Sequence, residues 1–128
     1  MSNGDILVRR KTSKRFSRLR FEVLNAFVDS GMADLSRSEL TVWLVLYRDT
    51  KPGGTARASL GDIANRAGID RQTASRAVGK LTRRKMLQVL QRGGVNPGPS
   101  VYRVFPYAMK WVLDMQVHLR RSRLGPVA

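Results

Sequence analysis

The feature that most constrains the fold is a pair of short amphipathic segments joined by one glycine, in "SLGDIANRAGIDRQTASRAVGKL" at residues 59 to 81. Each segment repeats apolar residues at the i, i+3, i+4, i+7 spacing of one helix face. Gly68 lies between them, where a left-handed residue can end one helix and turn the chain toward the next. The two predicted faces are Leu60, Ile63, Ala64 and Ala67, then Ala74, Ala77, Val78 and Leu81. Two short helices that meet through small residues across a tight turn form a helix-turn-helix.

Polar residues mark where three helices begin. "SRSE" at residues 36 to 39 is a capping box, in which Ser36 and Glu39 satisfy free backbone N–H groups of the first turn. "SLGD" at residues 59 to 62 repeats this pattern with Asp in the Glu position, and Asp70 precedes the next helix as an N-cap. The helix after Ser36 is apolar on a wide face, so it is expected to be central to the core.

The remaining segments complete a mostly α fold with a small β-hairpin wing. Apolar spacing predicts one helix from Phe16 to about Ser30, ended by Gly31, and a last one from Tyr107 to about Arg121. Thr55 to Ala58 is a candidate short strand, and "MLQVLQR" and "VYRVFP" flank the loop "GGVNPGPS" as a hairpin. The fold predicted for these 128 residues is one winged helix-turn-helix with extra N- and C-terminal helices. Its expected parts are a flexible basic arm at 1–15, the winged helix-turn-helix domain at 16–106, and a C-terminal helix and tail at 107–128 that could dimerise.

The charge is high and unevenly placed. The chain carries 24 Lys and Arg against 9 Asp and Glu, a formal net charge of +15. No acid lies between Asp70 and Asp114, whereas that span holds much of the basic charge, and a second basic cluster runs from Arg9 to Arg20. A surface that is merely solvated mixes its signs. The distribution therefore predicts a polyanionic partner.

Several classes of function are excluded by what the sequence lacks. There is no cysteine, which removes disulfides and thiolate metal sites, and no Walker-type phosphate loop. The single histidine, His118, has only Asp114 near it in sequence, too few ligands for a metal site and no catalytic pattern. No apolar run approaches the roughly 18 residues of a membrane span. We expect no enzyme, no metal and no cofactor, in a soluble bacterial protein of the cytoplasm associated with the nucleoid or a plasmid.

The run "SLGDIANRAGIDRQTASRAVGKLTRRKML" resembles the winged helix-turn-helix of MarR-like transcription regulators. It is equally similar to the N-terminal DNA-binding domains of phage and plasmid replication proteins. The resemblance covers about residues 36 to 106 and implies DNA binding, with dimerisation through terminal helices in the MarR-like case. Met86 departs from the pattern, because the family commonly has Gly before the wing.

The second helix of the pair supplies the predicted DNA contacts. With its apolar residues buried, its opposite face presents Gln72, Arg76, Gly79 and Arg83, flanked by Ser75 and Lys80. Base readout is assigned to Gln72, Ser75 and Arg76, since Gln can pair with adenine and Arg with guanine, while Ser75 can reach either a base or a phosphate. Backbone contacts are assigned to Arg71, Thr73, Lys80, Arg83, Arg84 and Lys85. Gly79 in mid-helix indicates either a close approach, to DNA or to a neighbouring helix, or a tolerated defect.

Further contacts are predicted outside this helix. The wing offers Arg92, Asn96 and Arg103, unless its tip is a plain connecting turn. The N-terminal arm offers Arg9, Arg10, Lys11, Lys14 and Arg15, followed by Arg18 and Arg20, for phosphate contact or for non-specific attraction. Trp111, Met115 and Leu119 in the last helix form an apolar stripe that belongs either to the core or to a dimer seam.

The leading hypothesis is a sequence-specific double-stranded DNA-binding protein, either a transcription regulator or a replication or mobile-element factor. A non-specific or RNA-binding basic protein is the alternative, which the charge alone would allow. RNA readers usually expose aromatic residues for stacking, and residues 72 to 85 contain none. A third option, a protein-interaction module, is disfavoured by the clustering of Gln72, Ser75 and Arg76.

Overall fold

The computed structural model describes residues 3–93 and 98–108, with side chains from Lys14 onward. It has four α-helices and three strands over these residues. In chain order they are α1 (Asn3–Ala26), a π-helical turn (Phe27–Gly31), a 3₁₀ turn (Met32–Asp34), α2 (Arg37–Asp49), β1 (Ala56–Ala58), α3 (Leu60–Ala67), α4 (Arg71–Arg83), β2 (Leu87–Gln91) and β3 (Ser100–Val104). This order is that of a winged helix, so the predicted fold class is confirmed.

The helix starts lie where the predicted caps placed them. The Ser36 hydroxyl oxygen accepts the Glu39 N–H at 3.2 Å, and the Ser59 hydroxyl oxygen accepts the Asp62 N–H at 3.2 Å. The Asp70 carboxylate accepts the Thr73 N–H at 2.6 Å. Hydrogen bonds from Thr73, through its side chain and its backbone, hold the pKa of Asp70 below its ordinary value.

The turn between α3 and α4 also has the predicted geometry. Gly68 adopts the left-handed conformation, with φ 71° and ψ 32°. The next N–H, from Ile69, donates to the Ala64 carbonyl at 3.0 Å, which closes the end of α3. Ile69 then packs against the core, and α4 begins two residues later. The predicted helix-turn-helix is therefore present.

The three strands form an antiparallel sheet in the order β1-β3-β2. β2 and β3 are the predicted hairpin, with Leu87 opposite Val104 and Val89 opposite Tyr102. The pairing is irregular between Val89 and Gln91, where β2 bulges on the way to the tip. β1 adds to the other edge of β3 and ties the hairpin to the helical core.

The core is centred on Trp43 of α2. Its ring is fully buried, stacked on Phe27 with centroids 3.6 Å apart and on Tyr47 at 4.8 Å. Its indole N–H donates to the Phe105 carbonyl at 2.9 Å, just after β3. One side chain thus joins the turn after α1, the central helix and the base of the wing.

The N-terminal segment corrects one prediction. Residues 1–15 were expected to be a flexible arm, but α1 begins at Asn3 and runs unbroken to Ala26. No helix-breaking residue follows Gly4 in this stretch, and Lys, Arg and Leu are good helix formers. At about 1.5 Å per residue the helix is about 36 Å long. No helix in the described ranges is long and apolar enough to cross a membrane.

Arg20 of α1 has a structural partner that the sequence analysis did not predict. Its guanidinium donates to the carbonyls of Thr50 at 2.9 Å and Tyr47 at 3.1 Å, at the C-terminal end of α2. The Tyr47 hydroxyl in turn donates to the Arg20 carbonyl. A cation at the last carbonyls of a helix is favourable. Arg20 therefore holds α1 against α2. It is not available for the phosphate contact predicted for it from the sequence.

The predicted last helix lies almost wholly outside the described residues. Tyr107 and Ala108 are described, and they are not helical. The stripe of Trp111, Met115 and Leu119 falls outside, as do Asp114 and His118.

Candidate nucleic-acid interface

Helix α4 separates its apolar and polar residues as predicted. Ala74, Ala77 and Leu81 are buried, and Val78 packs against the same core from a half-buried position. The opposite face is open to solvent and carries the polar side chains. Its exposed members are Arg71, Gln72, Ser75, Arg76, Lys80 and Arg83, while Thr73 is half-buried.

The positive charges of this face are not neutralised within the described residues. The ion pairs found there join Arg48 to Asp49, Arg66 to Asp49 and Asp62, and Arg84 to Glu39. None involves Arg71, Arg76, Lys80 or Arg83. Arg76 does act electrostatically on Asp70, at the start of the same helix, but it forms no salt bridge with it. The face therefore presents exposed cations and hydrogen-bond donors that can bind an anion.

Arg84, predicted to contact phosphate, has a different partner. Its Nε donates to Glu39 Oε2 at 2.6 Å, and the Glu39 side chain is only 3% exposed. The other carboxylate oxygen accepts the Ser36 hydroxyl at 3.0 Å. The pair ties the end of α4 to the start of α2. The sequence did contain a signal for this ion pair. Glu39 lies in the first turn of the most apolar helix, and a buried carboxylate requires a partner.

Replacing Arg84 with Ala is expected to destabilise the fold, because it leaves the Glu39 carboxylate buried without its cation. We expect the free energy of unfolding to fall by about 2 kcal/mol, since a buried charged group loses a hydrogen bond. Urea denaturation followed by circular dichroism measures it. Arg83→Ala is the matched control and should change stability by less than about 0.5 kcal/mol. Equal midpoints for the two variants would contradict this role of Arg84.

The turn after α4 contains a left-handed residue that is not glycine. Lys85 has φ 62°, and the next N–H, from Met86, donates back to the Leu81 carbonyl at 3.0 Å. This bond closes the helix end in the same way as at Gly68. Met86, where the sequence departs from the MarR-like pattern, is buried. Lys85 remains exposed and available for the predicted backbone contact.

A second pair of ion contacts holds the helix-turn-helix in place. Arg66 of α3 pairs with both Asp49 carboxylate oxygens and, at 2.8 Å, with Asp62. The hydrogen bond from Arg66 lowers the pKa of Asp49, and the bond to Asp49 raises the pKa of Arg66. The pair with Asp49 holds α3 against the end of α2, whereas the pair with Asp62 lies within α3. Neither pair was predicted from the sequence.

A groove of about 420 Å³ lies between α4 and the wing. Its polar lining comes from both sides: Ser75, Gly79, Thr82, Arg83, Arg92 and Ser100. A Cβ added to Gly79 would meet only Arg83 Nη1, at 3.6 Å. The prediction that Gly79 allows a neighbouring helix to approach closely is therefore wrong for the described residues. A side chain at this position would meet only the flexible end of Arg83.

The wing and N-terminal residues are only partly described. Arg92 and Arg103 are exposed, the latter in β3 next to the buried Tyr102. Asn96 lies in the hairpin tip, outside the described residues. In α1, Lys14, Arg15 and Arg18 are exposed. Arg9, Arg10 and Lys11 belong to the same helix, but nothing is described of their side chains.

Comparisons with known proteins give fold similarity alone. No protein-family model matches the sequence, and no curated protein matches it. A possible transcriptional regulator from Methanosarcina mazei is similar in structure at 18% identity and a TM-score of 0.45, covering 81% of each chain. A MarR-family regulator from Silicibacter pomeroyi has 15% identity and a TM-score of 0.44, covering 95% of this chain and 74% of its own. Bordetella bronchiseptica BpsR has 18% identity and a TM-score of 0.42, covering 99% and 82%. These solved structures resemble the chain, and likeness at this level carries no inference about function.

Proposed function

We propose that the chain is a sequence-specific double-stranded DNA-binding protein that uses α4 as its recognition helix. The observation that carries the proposal is the exposed face of α4, whose Arg and Lys side chains form no salt bridge among the described residues. Duplex DNA presents a dense array of phosphates, and its major groove admits one α-helix.

The base contacts are assigned to the first two turns of α4. A recognition helix enters the groove with its N-terminal residues nearest the base edges. Arg76 suits a bidentate bond to guanine, Gln72 one to adenine, and Ser75 lies between them. All three are exposed on the side of α4 that faces away from the core.

The backbone contacts are assigned to the periphery of this face. Arg84 is removed from the set predicted from the sequence, because it pairs with Glu39. The set then consists of Arg71, Thr73, Lys80, Arg83 and Lys85. The wing contributes Arg92 and Arg103, with Asn96 as a further predicted contact. On α1, Lys14 and Arg15 are exposed and belong to the same group, and Arg9, Arg10 and Lys11 stay contacts predicted from the sequence. Such contacts position the protein and set its salt dependence.

The proposed role is occupancy of an operator or an origin, as a transcription regulator or as a replication or mobile-element factor. Duplex DNA is favoured over RNA because the exposed face of α4 has no aromatic side chain for stacking on unpaired bases. The wing beside α4 adds a second element suited to a duplex.

The test is selection of bound duplexes from a random-sequence pool at physiological salt, followed by sequencing. We expect enrichment of a short motif containing a G·C pair read by Arg76. Binding without enrichment that disappears as salt rises would instead support the alternative, a non-specific or RNA-binding basic protein.

We also propose a homodimer that uses α1. Apolar residues remain exposed on this helix, on the turn after it and on α2: Phe21 at 68%, Leu24 at 36%, Val28 at 50% and Leu44 at 42%. Phe21 and Leu24 are three residues apart, so they share one face of α1, and together with Leu44 of α2 they line one surface groove. A contiguous apolar patch of this kind is typical of an interface. A second copy is the proposed occupant, since MarR-like regulators, which the sequence resembles, dimerise through terminal helices.

Phe21→Glu is expected to convert the dimer to a monomer, because it places a charge in the middle of the apolar face. Sedimentation velocity measures the change. Leu90→Glu is the matched control, because Leu90 is 42% exposed on β2 and lies outside the α1 face. A wild-type chain that sediments as a monomer at all accessible concentrations would rule the dimer out. If the dimer forms, the selected motif should contain two half-sites about 10 bp apart or a multiple of that.

A further inference from the structure

Gly79 is a costly residue that the fold does not require. In the interior of a helix, Gly is less stable than Ala by about 1 kcal/mol. A Cβ at Gly31 would lie 2.1 Å from the Pro106 carbonyl oxygen, so glycine is needed there for packing. A Cβ at Gly79 would make only an ordinary contact, 3.6 Å from Arg83 Nη1. Packing among the described residues therefore does not explain why this position is a glycine.

The chemistry of the groove above Gly79 suits a sugar-phosphate strand. Arg83 and Arg92 supply cations from α4 and from the base of the wing, and no carboxylate belongs to the described lining. Ser100 already accepts the Gly93 N–H at 2.7 Å, so its own hydroxyl proton is available to donate. The apolar part of the lining suits the carbon face of a deoxyribose. It consists of Leu60, Val78, Val89 and Tyr102.

We propose that this groove holds the backbone of one DNA strand, which passes directly over Gly79 between Arg83 and Arg92. The inference rests on the proposed duplex binding. The absence of a side chain at Gly79 lets the strand approach the α4 backbone more closely than any other residue would allow. Gly79 lies one turn after Ser75 and Arg76 on the same face. The depth at which the strand lies over Gly79 therefore sets how far Ser75 and Arg76 reach into the major groove, which makes Gly79 a positioning residue for base readout.

The experiment fills the groove from Gly79 and measures binding and stability separately. Gly79→Ala and Gly79→Leu are expected to fold, with stability equal to the wild type or higher, because the added Cβ would make one ordinary contact, with the flexible end of Arg83, and both residues favour helix. The matched control is Gly61→Leu in α3, an exposed helical glycine whose Cβ would meet nothing within 4 Å and which does not line the groove. The probe is the duplex selected by the wild-type chain, with a scrambled duplex beside it.

We expect Gly79→Leu to bind the selected duplex at least about tenfold more weakly, with Gly79→Ala intermediate and Gly61→Leu unchanged. The slope of log affinity against log salt should fall by about 1 to 2 for Gly79→Leu, because one or two phosphate contacts are lost. Preference for the selected over the scrambled duplex should also fall, because Arg76 is held away from its base.

Two outcomes would overturn the inference, and they are distinguishable. If Gly79→Leu binds the selected duplex as tightly as the wild type does, the groove does not hold the strand, while the proposed DNA binding stands. If the wild-type chain binds neither duplex, the proposed function fails and this inference fails with it. Ethylation interference gives an independent test. A subset of the phosphates whose ethylation blocks the wild type should no longer affect binding by an Arg83→Gln, Arg92→Gln double variant, while the phosphates contacted by other residues should still do so.

Discussion

Trp43→Ala is expected to lower the free energy of unfolding by about 4 kcal/mol, because removing a fully buried large aromatic side chain costs about 3–5 kcal/mol. The side chain has no exposed surface and is stacked on both Phe27 and Tyr47. Its loss also leaves the Phe105 carbonyl without its 2.9 Å hydrogen bond. Few single substitutions in a domain of this size should cost more.

The control for this variant is Trp43→Phe. It keeps an aromatic ring between Phe27 and Tyr47 but removes the indole N–H, so we expect a loss of about 1–2 kcal/mol. Circular dichroism during urea denaturation is the suitable measurement, because each variant removes one of the two tryptophans. If Trp43→Ala and Trp43→Phe were equally stable, the aromatic stack would not be what joins α2 to the turn after α1.

Arg76→Ala is expected to remove sequence preference at one base pair of the DNA site. The lost bidentate contact should weaken the selected duplex by about 1–3 kcal/mol, tenfold to more than a hundredfold, while binding to scrambled DNA changes little. Fluorescence anisotropy with duplexes substituted at each position in turn measures this. The position read by Arg76 is the one at which the variant no longer distinguishes the four base pairs.

Lys80→Ala is the matched control for Arg76→Ala. Both side chains are exposed on α4 and free of ion pairs among the described residues, but Lys80 lies further along the helix, where phosphate is expected. Its removal should weaken all duplexes about equally and lower the salt slope by about 1. If Arg76→Ala also weakened binding to all duplexes equally, α4 would bind by charge alone. The alternative hypothesis, a non-specific or RNA-binding basic protein, would then be preferred.

Much of the helix-turn-helix could be predicted because its determinants are local. Ser36, Ser59 and Asp70 cap helices through backbone groups three residues away, and Gly68 ends α3 by its own conformational freedom. The hairpin was predictable for the same reason, from two strand-like runs around a Gly- and Pro-rich loop. The extent of α1 was not, because charged residues favour a helix and a disordered arm alike.

The sequence did not predict which partner each charged side chain has. Arg84 was assigned to phosphate with its neighbours, yet it pairs with Glu39, which lies 45 residues earlier. Arg20 was counted in a basic cluster, yet it closes the end of α2. The composition of a basic run is the same whether each cation faces water, a nucleic acid or a buried carboxylate.

The sequence by itself determined the helix starts, the glycine turn, the apolar face of α4 and the excess of positive charge, since each depends on residues within one or two helical turns. Only the tertiary structure decided which cations remain free. It took Arg20, Arg66 and Arg84 into contacts that hold α1, α3 and α4 around α2, and left Arg71, Arg76, Lys80 and Arg83 without salt bridges in the described part of the chain. The physical reason is that a long side chain pairs with whatever the fold brings within about 4 Å, and packing across the whole chain sets that distance.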